Sequence, residues 1–321
     1  MVECTPFAWH EKYMQRFRDA IEQHRLPHAI LLTGPAGTGK QQLARCLVHH
    51  LIGEASKSRN YKDLLQAGTH PDVMLVEPEE DKKQISVDQI RALSEKISLT
   101  PQLSTTKIGV IHPAQAMNRN AANALLKTLE EPQGNTVILL ISHNHGLLPQ
   151  TILSRCQHVH VGIPPAEQAM KWLQEHDIDH AMEYLQLAGG APLKALVAAN
   201  EGWLERYQSL ISDLSMLLHR EDNMVSVGAR WRDLEIALLL SWLSNIVRSI
   251  VKLKIYGQSA FNVPANLLKL LKISYDEIDL TQLIQYSEFL DKTLLEVDNN
   301  LNQEMMFEQI FSQWTALKRA A

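Results

Sequence analysis

Ten residues constrain the fold of this chain more than any others: Leu31 to Lys40, read Leu-Leu-Thr-Gly-Pro-Ala-Gly-Thr-Gly-Lys. The apolar run Ala29 to Leu32 predicts a short buried strand, and Gln41 to Arg45 continue as a helix. Gly34 and Gly39 bracket a tight turn of pattern G-x-x-x-x-G-K. There Gly34, Gly37, Thr38 and Gly39 let backbone N–H groups converge on an anion at a helix N-terminus, and Lys40 meets the terminal phosphates. A Gly-rich turn that holds no ligand is the plainer alternative. The order strand, turn, lysine, helix favours a nucleotide-type α/β domain. In such a loop the next residue normally holds Mg²⁺ through a hydroxyl, and here it is Gln41.

The surrounding pattern agrees. Trp9 to His24 reads as a helix with Met14, Phe17 and Ile21 on one face. Further strands are expected at Val73–Val76, Lys107–Ile111 and Val137–Ile141, making four with the first, while residues 53–70 read as polar and irregular. Ser86 and Gln89 form a capping box ahead of a helix carrying Ile90, Leu93 and Ile97, and a second helix runs from Ala121 to Glu131 before Pro132. Strands alternating with helices indicate a parallel sheet covered on both faces. After Ile163-Pro164-Pro165 strand signals cease. Short helices break at Gly189-Gly190, and from Arg206 onward long apolar stripes appear: Leu239, Leu243, Ile246, Val247 and Ile250, then Leu283, Tyr286, Leu290, Leu294, Val297 and Leu301.

A hydrolytic site needs more than the loop. An apolar strand should end in an acid for Mg²⁺, with a Glu to polarise water. Ile108 to Ile111 stands in the right place but runs into His112-Pro113. Val73–Val76 is followed by Glu77, yet this strand is expected at the sheet edge, and Glu77-Pro78-Glu79-Glu80-Asp81 reads as a solvated acidic turn. Gln41, His112 and Pro113 together remove three metal or water contacts, so hydrolysis is expected to be absent. Elsewhere, Arg155 in Ser154-Arg155-Cys156 could reach a neighbouring subunit's nucleotide as an arginine finger. An intramolecular ion pair is the alternative.

Composition excludes several classes. The 321 residues suffice for two or three domains, and 45% hydrophobic with 21% charged residues is ordinary globular usage. A net charge of -5, from 31 basic and 36 acidic residues, argues against strong nucleic-acid binding by this chain alone. Met1-Val2-Glu3-Cys4 does not read as an export signal, and apolar runs such as Ile236–Leu240 are too short to span a bilayer. Cys4, Cys46 and Cys156, odd in number and far apart, suggest a reducing, cytoplasmic setting with no disulfide framework.

Asn123 to Pro132 (Asn-Ala-Leu-Leu-Lys-Thr-Leu-Glu-Glu-Pro) and Ser154-Arg155-Cys156 closely resemble the AAA+ clamp-loader subunits of bacterial DNA polymerase III. Leu26-Pro27-His28-Ala29, Asp72-Val73 and Ile85 to Arg91 fit the same family. The likeness is strong from Trp9 to about Pro165 and holds only in layout beyond. It implies an AAA+ P-loop parallel-sheet domain (1–165), a small helical lid (166–205) and an all-α collar (206–321) through which subunits join. Within the family, the missing acids point to the non-hydrolysing delta-prime branch rather than the gamma/tau branch. The implied partners are gamma/tau and delta subunits in a pentamer and, through the complex, the sliding clamp and primer-template DNA, with no membrane. Arg155 is then a finger acting in trans. ATP or ADP could occupy the loop without being hydrolysed. Many members carry a four-cysteine zinc module, but residues 51–72 contain no Cys and His49, His50 and His70 are no substitute, so neither zinc nor another metal is expected. Ser142 falls at the sensor-1 position, and Lys194 where sensor 2 would carry Arg. Two readings compete with this one: an autonomous AAA+ ATPase of the gamma/tau motor type, using Lys40 with Glu77, and a DNA-binding module.

Overall fold

The computed structural model describes residues 4–55, 60–256, 278–296 and 303–317. They divide into two compact units, one of Met1–Asp179 with Ala188–Leu196, the other of His180–Leu187 with Val197–Ala321.

The first unit is built on a parallel five-stranded sheet of β1 (Ala29–Thr33), β2 (Val73–Val76), β3 (Lys107–Ile111), β4 (Thr136–Ile141) and β5 (Gln157–His160), in the order β2-β3-β4-β1-β5. This is the AAA+ α/β arrangement expected from the sequence. Its helices are α1 (Glu11–Glu22), α2 (Lys40–Ala55), α3 (Tyr61–Gln66), α4 (Val87–Ser98), α5 (Arg119–Glu130), α6 (Gln150–Leu153) and α7 (Ala166–Gln174). The central strands are unbroken apolar runs because both faces are covered. Ile30 and Leu32 of β1, with Val137, Leu139 and Ile141 of β4, pack in a core with α1 and α2 residues such as Phe17 and Leu47. Ala29 and Leu31, with Ile138 and Leu140, pack on the opposite face with Leu93 of α4 and Leu125 of α5. The capping box forms: the Ser86 hydroxyl accepts from the Gln89 backbone, and the Gln89 side chain accepts from the Ser86 N–H.

Asp72 fastens the start of β2. Its side chain is fully buried against that of Lys107, which is 2.9 Å away and nearly as buried. The same carboxylate accepts backbone N–H bonds from Gln102 (2.7 Å), Leu103 (2.7 Å) and Ser104 (2.8 Å). Burial alone would raise this acid, but those hydrogen bonds and Lys107 outweigh it and hold the carboxyl well below the usual carboxylate range.

Three features of this unit differ from the reading of the sequence. A fifth strand, β5, follows α6; it escapes notice because only Val159 of Gln-His-Val-His is buried. Part of the polar stretch 53–70 is helical, since α2 continues to Ala55 and α3 follows. Cys4 and Cys46 are joined as a disulfide across a sequence separation of 42, which the absence of any spacing pattern did not suggest. Cys156 is free.

The second unit is helical. Helix α8 (Ala181–Leu187) belongs to it, and α9 (Pro192–Asn200) crosses between the units in sequence. Then come α10 (Trp203–His219), α11 (Met224–Trp231), α12 (Ile236–Tyr256), α13 (Leu280–Glu296) and α14 (Gln303–Thr315). Helix α12 is long and apolar enough to cross a membrane by length and composition, which the short apolar runs concealed. Its stripe from Leu239 to Leu253 is instead buried within the unit, where α12 packs against α13. Trp314 donates to the Leu214 carbonyl (2.9 Å) and Tyr286 to that of Ile310 (3.2 Å), tying α14 to α10 and α13. Leu283, Tyr286 and Leu290 are buried as the stripe predicts, but Leu294 is exposed and Thr293 takes the inward position. At 3.6 residues per turn the inward position after Leu290 falls between 293 and 294, so a stripe that follows apolar character alone picks the wrong neighbour. Val297 and Leu301 lie outside the described residues.

Candidate functional site

The candidate residues converge because four strands end at the same edge of the sheet, the carboxyl edge where ligands of open α/β sheets bind. The glycine loop leaves β1, Glu77 follows β2, His112 follows β3, and Ser142 and His143 follow β4. Gly34, Gly37 and Gly39 all adopt positive φ (136°, 80° and 85°), which an L side chain resists. Space forbids a side chain as well. A Cβ on Gly34 would lie 2.0 Å from the Val161 carbonyl oxygen, and one on Gly37 would lie 2.9 Å from the Lys194 nitrogen.

Lys40 is buried. Its ammonium donates to the carbonyls of Gly34 (2.7 Å) and Pro35 (2.6 Å), both in its own loop. Burial pushes its pKa down to about 8. Among the described residues the ammonium meets two carbonyl dipoles and no carboxylate within ion-pair distance, and a phosphate would supply a countercharge. Thr38 is also buried, and its hydroxyl donates to Pro35 O (3.0 Å) instead of facing solvent. Gln41 is exposed and its amide reaches the Glu77 carboxylate at 3.4 Å. Glu77, which in sequence reads as part of a solvated acidic turn, is exposed, yet the end of β2 brings it to the helix that follows the loop.

Trp9 and His10 clasp the loop from the N-terminal side, with Phe7 stacked on Trp9 and edge-on to His10; in the sequence Trp9 and His10 read only as the start of a helix, and Phe7 precedes it. Trp9 Nε1–H (3.0 Å) and His10 Nε2 (2.9 Å) both converge on the Thr38 carbonyl. Burial, then the Lys40 charge, push His10 down to about 4 against its bond to Thr38. The ring is therefore neutral, with the proton on Nε2 as donor and Nδ1 buried without a partner. Phe7 stacks on Trp9 with centroids 4.7 Å apart, and a Cβ on Gly39 would lie 2.7 Å from the Phe7 ring. On the other side, Leu193 N–H donates to Gly37 O (3.1 Å). Aromatic residues spaced Phe7-x-Trp9-His10 ahead of α1 were the available signal.

Where a metal acid would stand, the β3 end offers His112, half-buried and lowered mainly by burial. Its ring meets that of His143 edge-on, with centroids 5.5 Å apart. Ser142 is buried and its hydroxyl donates to Gln115 Oε1 (2.8 Å), linking the end of β4 to the turn after β3. Among the described residues, no three His, Cys, Asp or Glu side chains come together to hold a metal ion. The loop thus fits phosphates, while Gln41, His112 and His143 do not make an Mg²⁺ site.

Arg155 is not part of this cluster. It lies between α6 and β5 and is half-buried. Its guanidinium donates to Glu130 at the end of α5 and to the Thr151 carbonyl (3.0 Å). The ion pair considered from sequence is thus present, but it sits at the surface, with about a third of the Arg155 side chain and half of that of Glu130 exposed.

Comparison with known proteins places these features in a family. The family model described as "DNA polymerase III, delta subunit" matches residues 9–164. A DNA polymerase III delta-prime subunit of Pseudomonas aeruginosa is 34% identical over 302 residues, covering 90% of this chain and 92% of that protein. The chain belongs to the delta-prime family of DNA polymerase III subunits. The delta-prime subunit of Yersinia pestis is 30% identical, over 96% of both chains. Among solved structures, a DNA polymerase III gamma-subunit-related protein of Thermotoga maritima aligns over 97% of this chain and 100% of its own, at 20% identity and a TM-score of 0.49. As a delta-prime family member the chain is a clamp-loader subunit, and the glycine loop, the aromatic clasp and Arg155 all lie in its AAA+ unit or the segment leading into it.

Proposed function

We propose that this chain is the non-hydrolysing subunit of a cytoplasmic clamp loader and supplies Arg155 in trans to a nucleotide held by a neighbouring gamma/tau subunit. In this reading the complex also contains delta, is a pentamer, and places the sliding clamp on primed DNA. Residues 166–205 are the lid and 206–321 the collar that joins the subunits. ATP or ADP is held by Gly34, Gly37, Thr38, Gly39, Lys40 and Gln41 without turnover.

The observation that carries the proposal is the corner around Lys40. Phosphate-binding parts are present, but the side chains at the ends of β3 and β4 are His112, Ser142 and His143 rather than acids. A subunit of this kind can act on nucleotide only through a neighbour. Arg155 suits that role because its fork is planar and permanently charged, and because a half-exposed ion pair worth about 0–1 kcal/mol is readily exchanged for a phosphate.

The test is reconstitution with Arg155→Ala. The pentamer should assemble, and DNA- and clamp-stimulated ATP hydrolysis at the one interface should fall by roughly 10³–10⁵-fold. Arg155→Lys should rescue little, since an ammonium lacks the fork. Normal hydrolysis in the Arg155→Ala complex would overturn the finger. Mg²⁺-dependent ATP turnover by the isolated chain, abolished by Glu77→Gln, would instead favour the autonomous ATPase.

A further inference from the structure

The segment from Cys4 to His10 touches the phosphate loop and α2 at several points. Cys4 and Cys46 have Cα atoms 5.2 Å apart, within the range that a disulfide spans without moving the backbone. Cys46 sits on α2, the helix that the glycine loop opens into. One residue beyond Cys4, the Thr5 carbonyl accepts from the Gln42 side chain on the same helix (3.1 Å). Phe7 then lies over Gly39, and Trp9 and His10 hold the Thr38 carbonyl. Trp172 of α7 closes the cluster edge-on against Phe7 and Trp9, at 5.5 and 5.8 Å.

We propose that Cys4 and Cys46 are a redox modification site, and that the bond between them locks residues 4–10 as a strap that sets the rigidity of the phosphate loop. A disulfide in a chain of this family is not needed to build a core, since the sheet already has two. In a reducing compartment such a pair is characteristically transient or redox-sensing. Cys4, the less buried partner, attacks a small-molecule disulfide such as oxidised glutathione as its thiolate and forms a mixed disulfide, releasing one thiol. Cys46, as its thiolate, then attacks the Cys4 sulfur and expels the second thiol. Two electrons pass from the cysteine pair to the small disulfide, and the two protons lost by the cysteines are taken up by the two departing thiolates. Reduction by a dithiol runs the sequence backward and frees the strap. Cys156 is an internal control: burial raises its thiol to about 11, and it has no cysteine partner.

The experiment uses the full chain equilibrated with reduced or oxidised glutathione, and it needs no nucleotide. Alkylation under denaturing conditions, read by mass spectrometry, should find three thiols after reduction and one, Cys156, after oxidation. Amide exchange across residues 36–41 should be about tenfold or more faster in the reduced protein. Cys4→Ser should show the fast rate in both buffers, and Cys156→Ser should retain the redox response. Three free thiols after exposure to oxidised glutathione would overturn the site. A bond that forms but leaves exchange of residues 36–41 unchanged would overturn its coupling to the loop.

Discussion

Asp72→Asn isolates the most heavily loaded polar contact in the AAA+ unit. The wild-type carboxylate receives Gln102 N–H and the Lys107 ammonium on one oxygen, and Leu103 N–H, Ser104 N–H and the Ser104 hydroxyl on the other. An asparagine must turn an NH₂ group toward one of these sets, so donors face donors whichever way the amide lies. Lys107, only 3% exposed, keeps its charge but loses the countercharge. Removing one partner of a buried pair costs about 3–5 kcal/mol. For a unit of this size that lowers Tm by roughly 6–20 °C, taking 2–4 °C per kcal/mol. Calorimetry or circular-dichroism melts of the full chain would measure it, with the first transition assigned by proteolysis of the heated protein. Asp72→Asn/Lys107→Met should recover part of the loss, because the stranded charge is gone, with a coupling of about 1 kcal/mol or more. A loss under about 1 kcal/mol for the single variant, or strict additivity in the double, would refute the argument that this pair is a buried unit.

Arg155→Ala should change the melting free energy of the isolated chain by no more than about 1 kcal/mol, because the pair with Glu130 is solvent-screened; a larger loss would mark Arg155 as structural. Gly34→Ala should prevent normal packing of the loop, since the new methyl would meet Val161 O, and soluble yield with limited proteolysis near residue 34 would report it. Stability should fall on acidification in two stages. His10 is lowered to about 4 from 6.5, so its contribution is complete above 6.5 and is lost as pH drops through that window. Asp72, also lowered, contributes above its ordinary value of 3.8 and is lost below it. Urea midpoints from pH 7 to pH 2 would trace both stages, and His10→Gln should shrink the upper one without abolishing it, because burial also lowers His143, to about 4, and His49, His70 and His112. Affinity of the loop for inorganic phosphate should decline as pH rises through about 8, where buried Lys40 gives up its proton, and Lys40→Ala should erase that dependence.

Much of this protein was written in local patterns. Unbroken apolar runs at residues 29–32, 107–111 and 137–141 can be stable only between two covered faces, so a parallel sheet followed from the sequence. The glycine loop fixed where an anion would sit, because a G-x-x-x-x-G-K turn between strand and helix leaves the backbone few alternatives. Gln41 and His112-Pro113 set, by side-chain chemistry alone, the expectation that the loop lacks partners for Mg²⁺. What sequence could not supply was long-range company. Strand β5 has too little buried surface to announce itself and exists because β1 offers it an edge. Glu77 reads as solvated in isolation, and only the shared sheet edge brings it to Gln41. Cys4 and Cys46 have no spacing that predicts a bond, and Trp9 and His10 look like an ordinary helix start. Their roles arise because residues 4–10 pass across α2 and the loop. Local periodicity records which face of an element must be buried, but it holds no information about which distant residues share that burial, and here only the folded chain decided it.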